Sequence, residues 1–227
     1  MSKSGKSIVL FDVLDDATRE EVLNSCQCHQ YKKGDQIVRQ WDDNHHLYFI
    51  DQGSMRVTLY SSKGKEVSFV DLHEGDNFGE LSAIDGEPRS ANVIALTDSV
   101  VRTMPSDDFM GLLEEYPQLN RAFLRQLTAM IRRLCDRIFE YSTLGVNHRI
   151  HAELLRLAKQ DLDLDGVARI RNMPTHAQFG SRLSCTRESV SRELKHLEKN
   201  GIIKRHSGKF VVENLSLLED LVDIHEN

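Results

Sequence analysis

Between Tyr31 and Pro105 the apolar residues recur at every second position. Met55, Val57 and Leu59 alternate with Arg56, Thr58 and Tyr60, and Val67, Phe69, Val93 and Ala95 continue the pattern. Such alternation predicts strands with one buried face, here carried by Met55, Val57 and Leu59. The runs are short and are cut by Lys33-Gly34-Asp35, Asp51-Gln52-Gly53, Ser62-Lys63-Gly64 and Glu74-Gly75-Asp76. Several short strands at even spacing predict a sandwich or small barrel. Ahead of them, residues 1–7 are polar and expected to be disordered. Phe11 to about Cys26 reads as a short helix capped by Asp15 or Asp16, with Glu20 and Glu21 in its early turns.

After Pro105 the period changes. Leu124, Leu127, Ile131, Leu134, Ile138 and Tyr141 alternate spacings of three and four, an a/d seam on a long helix. A helix packed on its own domain and a helix paired with a second copy both fit such a seam. Leu144-Gly145-Val146-Asn147 then interrupts the pattern as a hinge. His148 to Leu162 starts a second domain with a helix whose apolar face includes Ile150, Leu154, Leu155 and Leu157. Farther on, Ala177 to Arg182 is a short helix, Leu183-Ser184-Cys185 a turn, and Thr186 an N-cap. The next helix buries Val190, Leu194 and Leu197 and turns Glu188, Ser191, Arg192 and Lys195 the other way, with Arg187 at its N-terminal rim. Ile202, Ile203 and Phe210 to Val212 flank Ser207-Gly208 as a small hairpin. Together these elements form a winged helix-turn-helix, whose second helix enters the DNA major groove N-terminus first.

Charge supports that reading. The 227 residues carry a net charge of −6. Yet Thr175 to Phe210 holds Arg182, Arg187, Arg192, Lys195, Lys199, Lys204, Arg205 and Lys209 against only Glu188, Glu193 and Glu198. A basic patch in an acidic chain is the footprint of a DNA-binding module. No apolar run is long enough to span a bilayer and no signal-peptide core is present, so a cytoplasmic location without membrane contact is expected. The four cysteines, Cys26, Cys28, Cys135 and Cys185, form no disulfide framework. Cys26-Gln27-Cys28-His29 lacks the second ligand pair of a zinc site, so no metal is expected. A metal-dependent cupin-type enzyme would share a β-barrel, but it needs a His-x-His pair. His45 and His46 are adjacent and in a strand would face opposite ways. With no P-loop or Ser–His–Asp arrangement presenting itself, the chain is not expected to be an enzyme.

Gly75 to Val93 carries the other candidate chemistry. Gly79 lets a backbone approach an anion without a Cβ in the way. The N–H groups of Glu80, Leu81 and Ser82 open a short helical segment, where anions are favoured. Arg89 can clamp phosphate oxygens through its planar fork and Ser90 can donate to the same group. Glu80 suits a sugar hydroxyl. Phe78-Gly79-Glu80-Leu81, followed by Arg89-Ser90-Ala91, resembles the phosphate-binding cassette of cyclic-nucleotide-binding domains. With Cys185-Thr186-Arg187-Glu188-Ser189-Val190-Ser191-Arg192, the chain as a whole resembles the CRP/FNR superfamily of bacterial transcription regulators.

The resemblance implies an α+β fold: an antiparallel β-roll over 8–118, a dimerisation helix over 119–143, a hinge at 144–147 and a winged helix-turn-helix over 148–227. It implies a cyclic nucleotide effector, a homodimer formed through the long helix, double-stranded DNA and RNA polymerase as partners. Gly79, Glu80, Leu81, Ser82, Arg89 and Ser90 would hold the effector. In cAMP-binding members the long helix offers a Thr-Ser pair to adenine; counting back from the hinge, Leu134 and Cys135 stand there. That departure leaves cAMP as the first candidate and cGMP as the second, Ser90 lying where a hydroxyl can meet a guanine amino group. Arg187, Glu188 and Arg192 would read base edges in a palindromic site with TGTGA-like halves, on a face shared with Ser191 and Lys195. Thr175, Ser184, Thr186, Lys204 and Lys209 would contact phosphates. A redox- or other-ligand-sensing member of the superfamily is the runner-up, although an iron–sulfur sensor would need clustered thiolates.

Overall fold

Alternation in the first half of the chain builds two antiparallel sheets of four strands, in a computed structural model that describes residues 8–60, 66–160, 168–170, 173–206 and 209–223. The strands are β1 (Gln27–Tyr31), β2 (Gln36–Val38), β3 (Leu47–Gln52), β4 (Ser54–Tyr60), β5 (Glu66–His73), β6 (Asn77–Phe78), β7 (Asn92–Ala95) and β8 (Ser99–Met104). One sheet runs β1-β8-β3-β6 and the other β2-β7-β4-β5. Val38, Tyr48, Ile50, Met55, Phe78, Val93, Ala95 and Val101 form the core of this β-roll. Strand β3 is apolar on both faces because Leu47 and Phe49 enter a second cluster with Leu10, Phe11, Phe109 and Phe123, where helices cover the sheet. The first of these, α1 (Asp16–Ser25), begins later than expected from sequence. Val9–Val13 forms a separate 3-10 turn, and Asp15, in extended conformation, caps α1 by accepting from the Thr18 N–H at 3.0 Å. Helices α2 (Glu80–Asp85) and α3 (Ser106–Glu115) complete the cover.

The expected face of β4 does meet the core through Met55 and Val57, but the expectation that only one face is buried is corrected. Met55 is buried, but so are Arg56 and Thr58, while Val57 and Leu59 are only half-buried. On β5, Ser68 is buried and Phe69 exposed. On β5 a β-bulge accounts for this: Val57 pairs with Val70 and Thr58 with Ser68, so Phe69 has no cross-strand partner and the alternation of β5 slips by one, while β4 keeps a regular register with β7 and carries buried residues on both faces. Arg56 tolerates burial because Asp71, directly opposite, accepts from its Nε and Nη2 at 2.8 and 2.9 Å. Thr58 Oγ1 donates to the Val67 carbonyl at 3.1 Å. The Ser62-Lys63-Gly64 turn and residues 1–7 lie outside the described residues.

Helix α4 (Pro117–Thr143) is continuous over 27 residues. Leu119 and Phe123 anchor its start in the first core, whereas Leu124, Ile131, Leu134 and Ile138 of the seam are exposed. The interruption that follows is only Leu144 and Gly145, since α5 (Val146–Gln160) already includes Val146 and Asn147. The chain divides into two compact units, residues 1–131 and 132–227. In the second, α6 (His176–Arg182), α7 (Arg187–Lys199) and α8 (Leu215–Asp223) accompany a sheet of order β10-β11-β9, built from β9 (Ala168–Ile170), β10 (Ile203–His206) and β11 (Lys209–Val212). Its core includes Ile150, Leu154, Phe179, Val190, Leu194, Leu197, Ile202, Phe210 and Leu218. The hairpin of the wing is therefore present, with its tip, Ser207-Gly208, outside the described residues; β9 and α8 were not signalled by the sequence pattern. No described helix is long and apolar enough to cross a membrane.

Candidate functional site

In the first unit the cassette forms around Gly79. Its φ of 87° is left-handed, and a Cβ there would stand 2.7 Å from Arg89 Nη1 and 2.9 Å from the His46 carbonyl oxygen, so glycine is required on both counts. Gly79 caps α2, from which Glu80 is half-buried, Leu81 exposed and Ser82 buried. Burial pushes the Glu80 carboxyl above its ordinary pKa, against a hydrogen bond from its own backbone and the positive charge of Arg89.

Arg89 is only 2% exposed. Nη1 donates to the Gly79 carbonyl at 3.0 Å; Nη2 donates to Asn44 Oδ1 at 2.8 Å and to the His46 carbonyl at 2.7 Å. Nε is buried without a hydrogen-bond partner. The guanidinium carbon lies 5.3 Å from the ring centroid of Tyr48, which stacks on Phe78 at 4.7 Å. Burial pulls the Arg89 pKa below its ordinary value, against the opposing influence of Tyr48 and of the negative charges of Glu80 and Asp42. A surface ion pair between Glu80 and Arg89, the plain alternative for these two residues, does not describe a guanidinium so enclosed. Ser90, next in the chain, is exposed. Sequence reasoning missed Asn44, the His46 carbonyl and Tyr48; the first two come from the segment between β2 and β3 and Tyr48 from β3 itself, far from the motif in the chain. His45 and His46 precede β3 rather than lying in it, so the opposite-faces argument does not apply to them. Cys26 donates its thiol to the Val22 carbonyl at 3.3 Å, and burial raises its pKa to about 11, far from that of a reactive thiolate. Among the described residues no group of three or more His, Cys, Asp or Glu could hold a metal ion.

In the second unit the turn between α6 and α7 is tight. A Cβ on Gly180 would meet the Cys185 carbonyl oxygen at 2.8 Å, and Ser184 is left-handed with φ 52°. Thr175 and Thr186 both act as N-caps, the first in a capping box with Gln178 and the second accepting from the Ser189 N–H at 3.2 Å. On α7, Val190, Leu194 and Leu197 are buried as the pattern requires, and Arg187, Glu188, Ser191, Arg192 and Lys195 line one shallow surface. Ser191 Oγ lies 2.7 Å from His176 Nδ1, and Arg205 Nη2 is 3.4 Å from the other ring nitrogen. Burial, then the charges of Arg205 and Arg187, pull the His176 pKa below 6.5. Lys204 is exposed, 3.5 Å from Glu213. The side chain of Lys209 lies outside the described residues. Leu134 and Cys135 are exposed positions of α4 in this second unit.

Two residues of that charge count, one basic and one acidic, do not belong to this surface. Arg182 is buried, donating to Glu153 Oε1 at 3.4 Å, and Glu193 is buried against His151 Nε2 at 2.8 Å. Glu153 also accepts from Arg137 at 3.3 Å and from Arg156, while Arg156 reaches Glu140 at 2.6 Å. The Tyr141 hydroxyl donates to the Arg182 carbonyl. This network ties α4, α5, α6 and α7 together.

Comparisons with known proteins match both domains. Residues 28–116 match the cyclic nucleotide-binding domain and residues 148–221 the Crp-like helix-turn-helix domain. The chain is 30% identical over 198 residues to the cAMP-activated global transcriptional regulator CRP of Salmonella typhimurium, covering 87% of this chain and 94% of that protein. It is 28% identical over 220 residues to the cyclic AMP receptor protein of Thermus thermophilus, covering 95% and 97%. A structure of a CooA variant from Carboxydothermus hydrogenoformans shares the fold, with a TM-score of 0.82 at 17% identity over 97% of this chain and 98% of that one. By its two domains and by these relatives, the chain belongs to the CRP/FNR family of transcription regulators.

Proposed function

We propose that this regulator binds a cyclic nucleotide at Gly79, Glu80, Leu81, Ser82, Arg89 and Ser90 and, as a homodimer, binds a palindromic DNA site. The observation that carries the effector reading is Arg89: a guanidinium removed from water, with one donor unused, is hydrogen-bonded to neutral groups only, and the carboxylates that act on it, Glu80 and Asp42, make no hydrogen bond to it. A phosphate supplies a hydrogen-bonded counter-charge. Glu80 would accept from the ribose and Ser90 donate to the phosphate. The names of both relatives favour cAMP; Leu134 and Cys135, poor replacements for hydroxyl donors, keep cGMP as the second candidate.

Support for the dimer comes from α4, where Ile131 and Ile138 of the a/d seam are 59% and 65% exposed. In this reading residues 8–118 hold the effector, 119–143 pair the protomers, 144–147 flex and 148–227 hold DNA. Arg187, Glu188 and Arg192 read base edges in TGTGA-like half-sites, Ser191 and Lys195 lie beside them, and Thr175, Ser184, Thr186, Lys204 and Lys209 contact phosphates. RNA polymerase is the further partner expected of a transcription regulator. The effector acts by binding more tightly to one packing of the paired helices.

Calorimetric titration with cAMP and with cGMP tests the central claim. Micromolar or tighter binding, abolished in Arg89→Ala, is expected. No heat and no thermal stabilisation with either nucleotide would overturn it.

A further inference from the structure

The anion-gripping edges of Arg89 are already in use. A guanidinium offers two edges with paired donors, the Nε–Nη2 side and the Nη1–Nη2 end, and both include Nη2. Both hydrogens of Nη2 are engaged, by Asn44 Oδ1 at 2.8 Å and the His46 carbonyl at 2.7 Å. A phosphate cannot take either edge in two bonds until one acceptor withdraws. These two acceptors are not equal. The His46 carbonyl is backbone immediately before β3, whose next residues, Leu47 to Ile50, are all buried in the core. Asn44 belongs to an exposed residue, and its oxygen can leave by side-chain rotation alone.

The rest of the segment closes on the same residue. Trp41 N–H donates to the Arg89 carbonyl at 2.9 Å and Arg89 N–H to the Asp42 carbonyl at 3.0 Å. Trp41, 75% exposed, holds a left-handed φ of 74° that a bulky residue does not adopt without cause. The Asn44 oxygen is itself held in place by the His46 N–H at 2.9 Å.

We infer that Asn44 is a latch on the effector site: its amide oxygen occupies the place of a phosphate oxygen on Arg89 and must be displaced when the ligand binds. The latch rests on the cyclic-nucleotide reading and adds to it a residue that sets affinity. It gives a sign that a merely supportive contact does not. Removing the competitor helps the ligand, and strengthening it with a charge hinders.

The test is titration of the full chain, as wild type, Asn44→Ala and Asn44→Asp, with cAMP and cGMP, each variant checked for folding by thermal melt. Asn44→Ala should bind about tenfold more tightly, ~1.4 kcal/mol. Asn44→Asp keeps an oxygen for the His46 N–H but pairs a carboxylate with Arg89, so it should bind at least about tenfold more weakly. Wild-type binding with unchanged or weakened affinity in Asn44→Ala overturns the latch and leaves the effector reading standing. Absence of binding by wild type and Asn44→Ala alike overturns both.

Discussion

Arg89 in the cassette and Arg192 on α7 are the same residue type put to opposite uses. Arg89 is buried among carbonyls, an amide and an aromatic face, with no carboxylate hydrogen-bonded to it. Arg192 is exposed beside Arg187 and Lys195. A desolvated cation interacts strongly with one anion of fixed position and is costly to leave alone. A solvated cation costs little, is screened by salt, and can exchange water for a base edge. In the proposed function, burial therefore separates a site suited to a single small anion from a surface suited to a polymer. Arg182 adds a third outcome, since it is as basic as the others yet serves the fold through Glu153.

That contrast can be broken in four places. Glu153→Ala should have the largest effect, because it leaves Arg182, and the nearby Arg137 and Arg156, without the carboxylate they share in a buried setting. Breaking a buried ion pair on one side costs about 3–5 kcal/mol, so the second unit should melt well below wild type by calorimetry. A loss no larger than that of an exposed ion pair would mean the network is solvated.

Gly79→Ala comes next. The left-handed backbone costs ~1–2 kcal/mol for a residue with a Cβ, and the new atom collides with Arg89 Nη1 and with the His46 backbone, which cannot step aside. Nucleotide affinity should fall at least about tenfold, measured by titration, while DNA-reading residues are untouched.

Arg192→Ala should leave the fold intact and relax discrimination at one base pair by ~1–3 kcal/mol, the value of a two-bond contact to guanine. Competition binding with cognate and scrambled duplexes checks this; equal loss on both would reduce Arg192 to a phosphate contact.

The smallest effect is expected from His176. Its folded pKa lies below the ordinary 6.5, so the unfolded chain takes up the proton more readily. The stabilisation is complete above pH 6.5 and is lost progressively as the pH falls below it. In His176→Asn the melting temperature should depend less on pH across that window; an unchanged slope would assign the dependence elsewhere.

Much of this was legible in the residues. Thr186 is a cap, Val190, Leu194 and Leu197 are a buried stripe, and Gly79 and Arg89 stand in one motif. These features depend on neighbours within a turn or two, where geometry follows from chain connectivity. The single buried face expected of β4 failed because Arg56, on its other face, is buried against Asp71 of the neighbouring strand, and on β5 one unpaired residue, Phe69, resets the faces beyond it. Counting Arg182 with the DNA surface failed for a different reason. Sequence gives the charge of a side chain but not the carboxylate that awaits it.

By itself, then, the sequence determined the two-domain plan, the family, the helix-turn-helix and the glycine and arginine of the cassette. Only the tertiary structure decided which charges are solvated and which are held. Glu153 and Arg182 are 29 residues apart, and Asn44 and Arg89 are 45 apart. Periodicity and capping act along the chain; the free energy of a charge depends on what surrounds it in space.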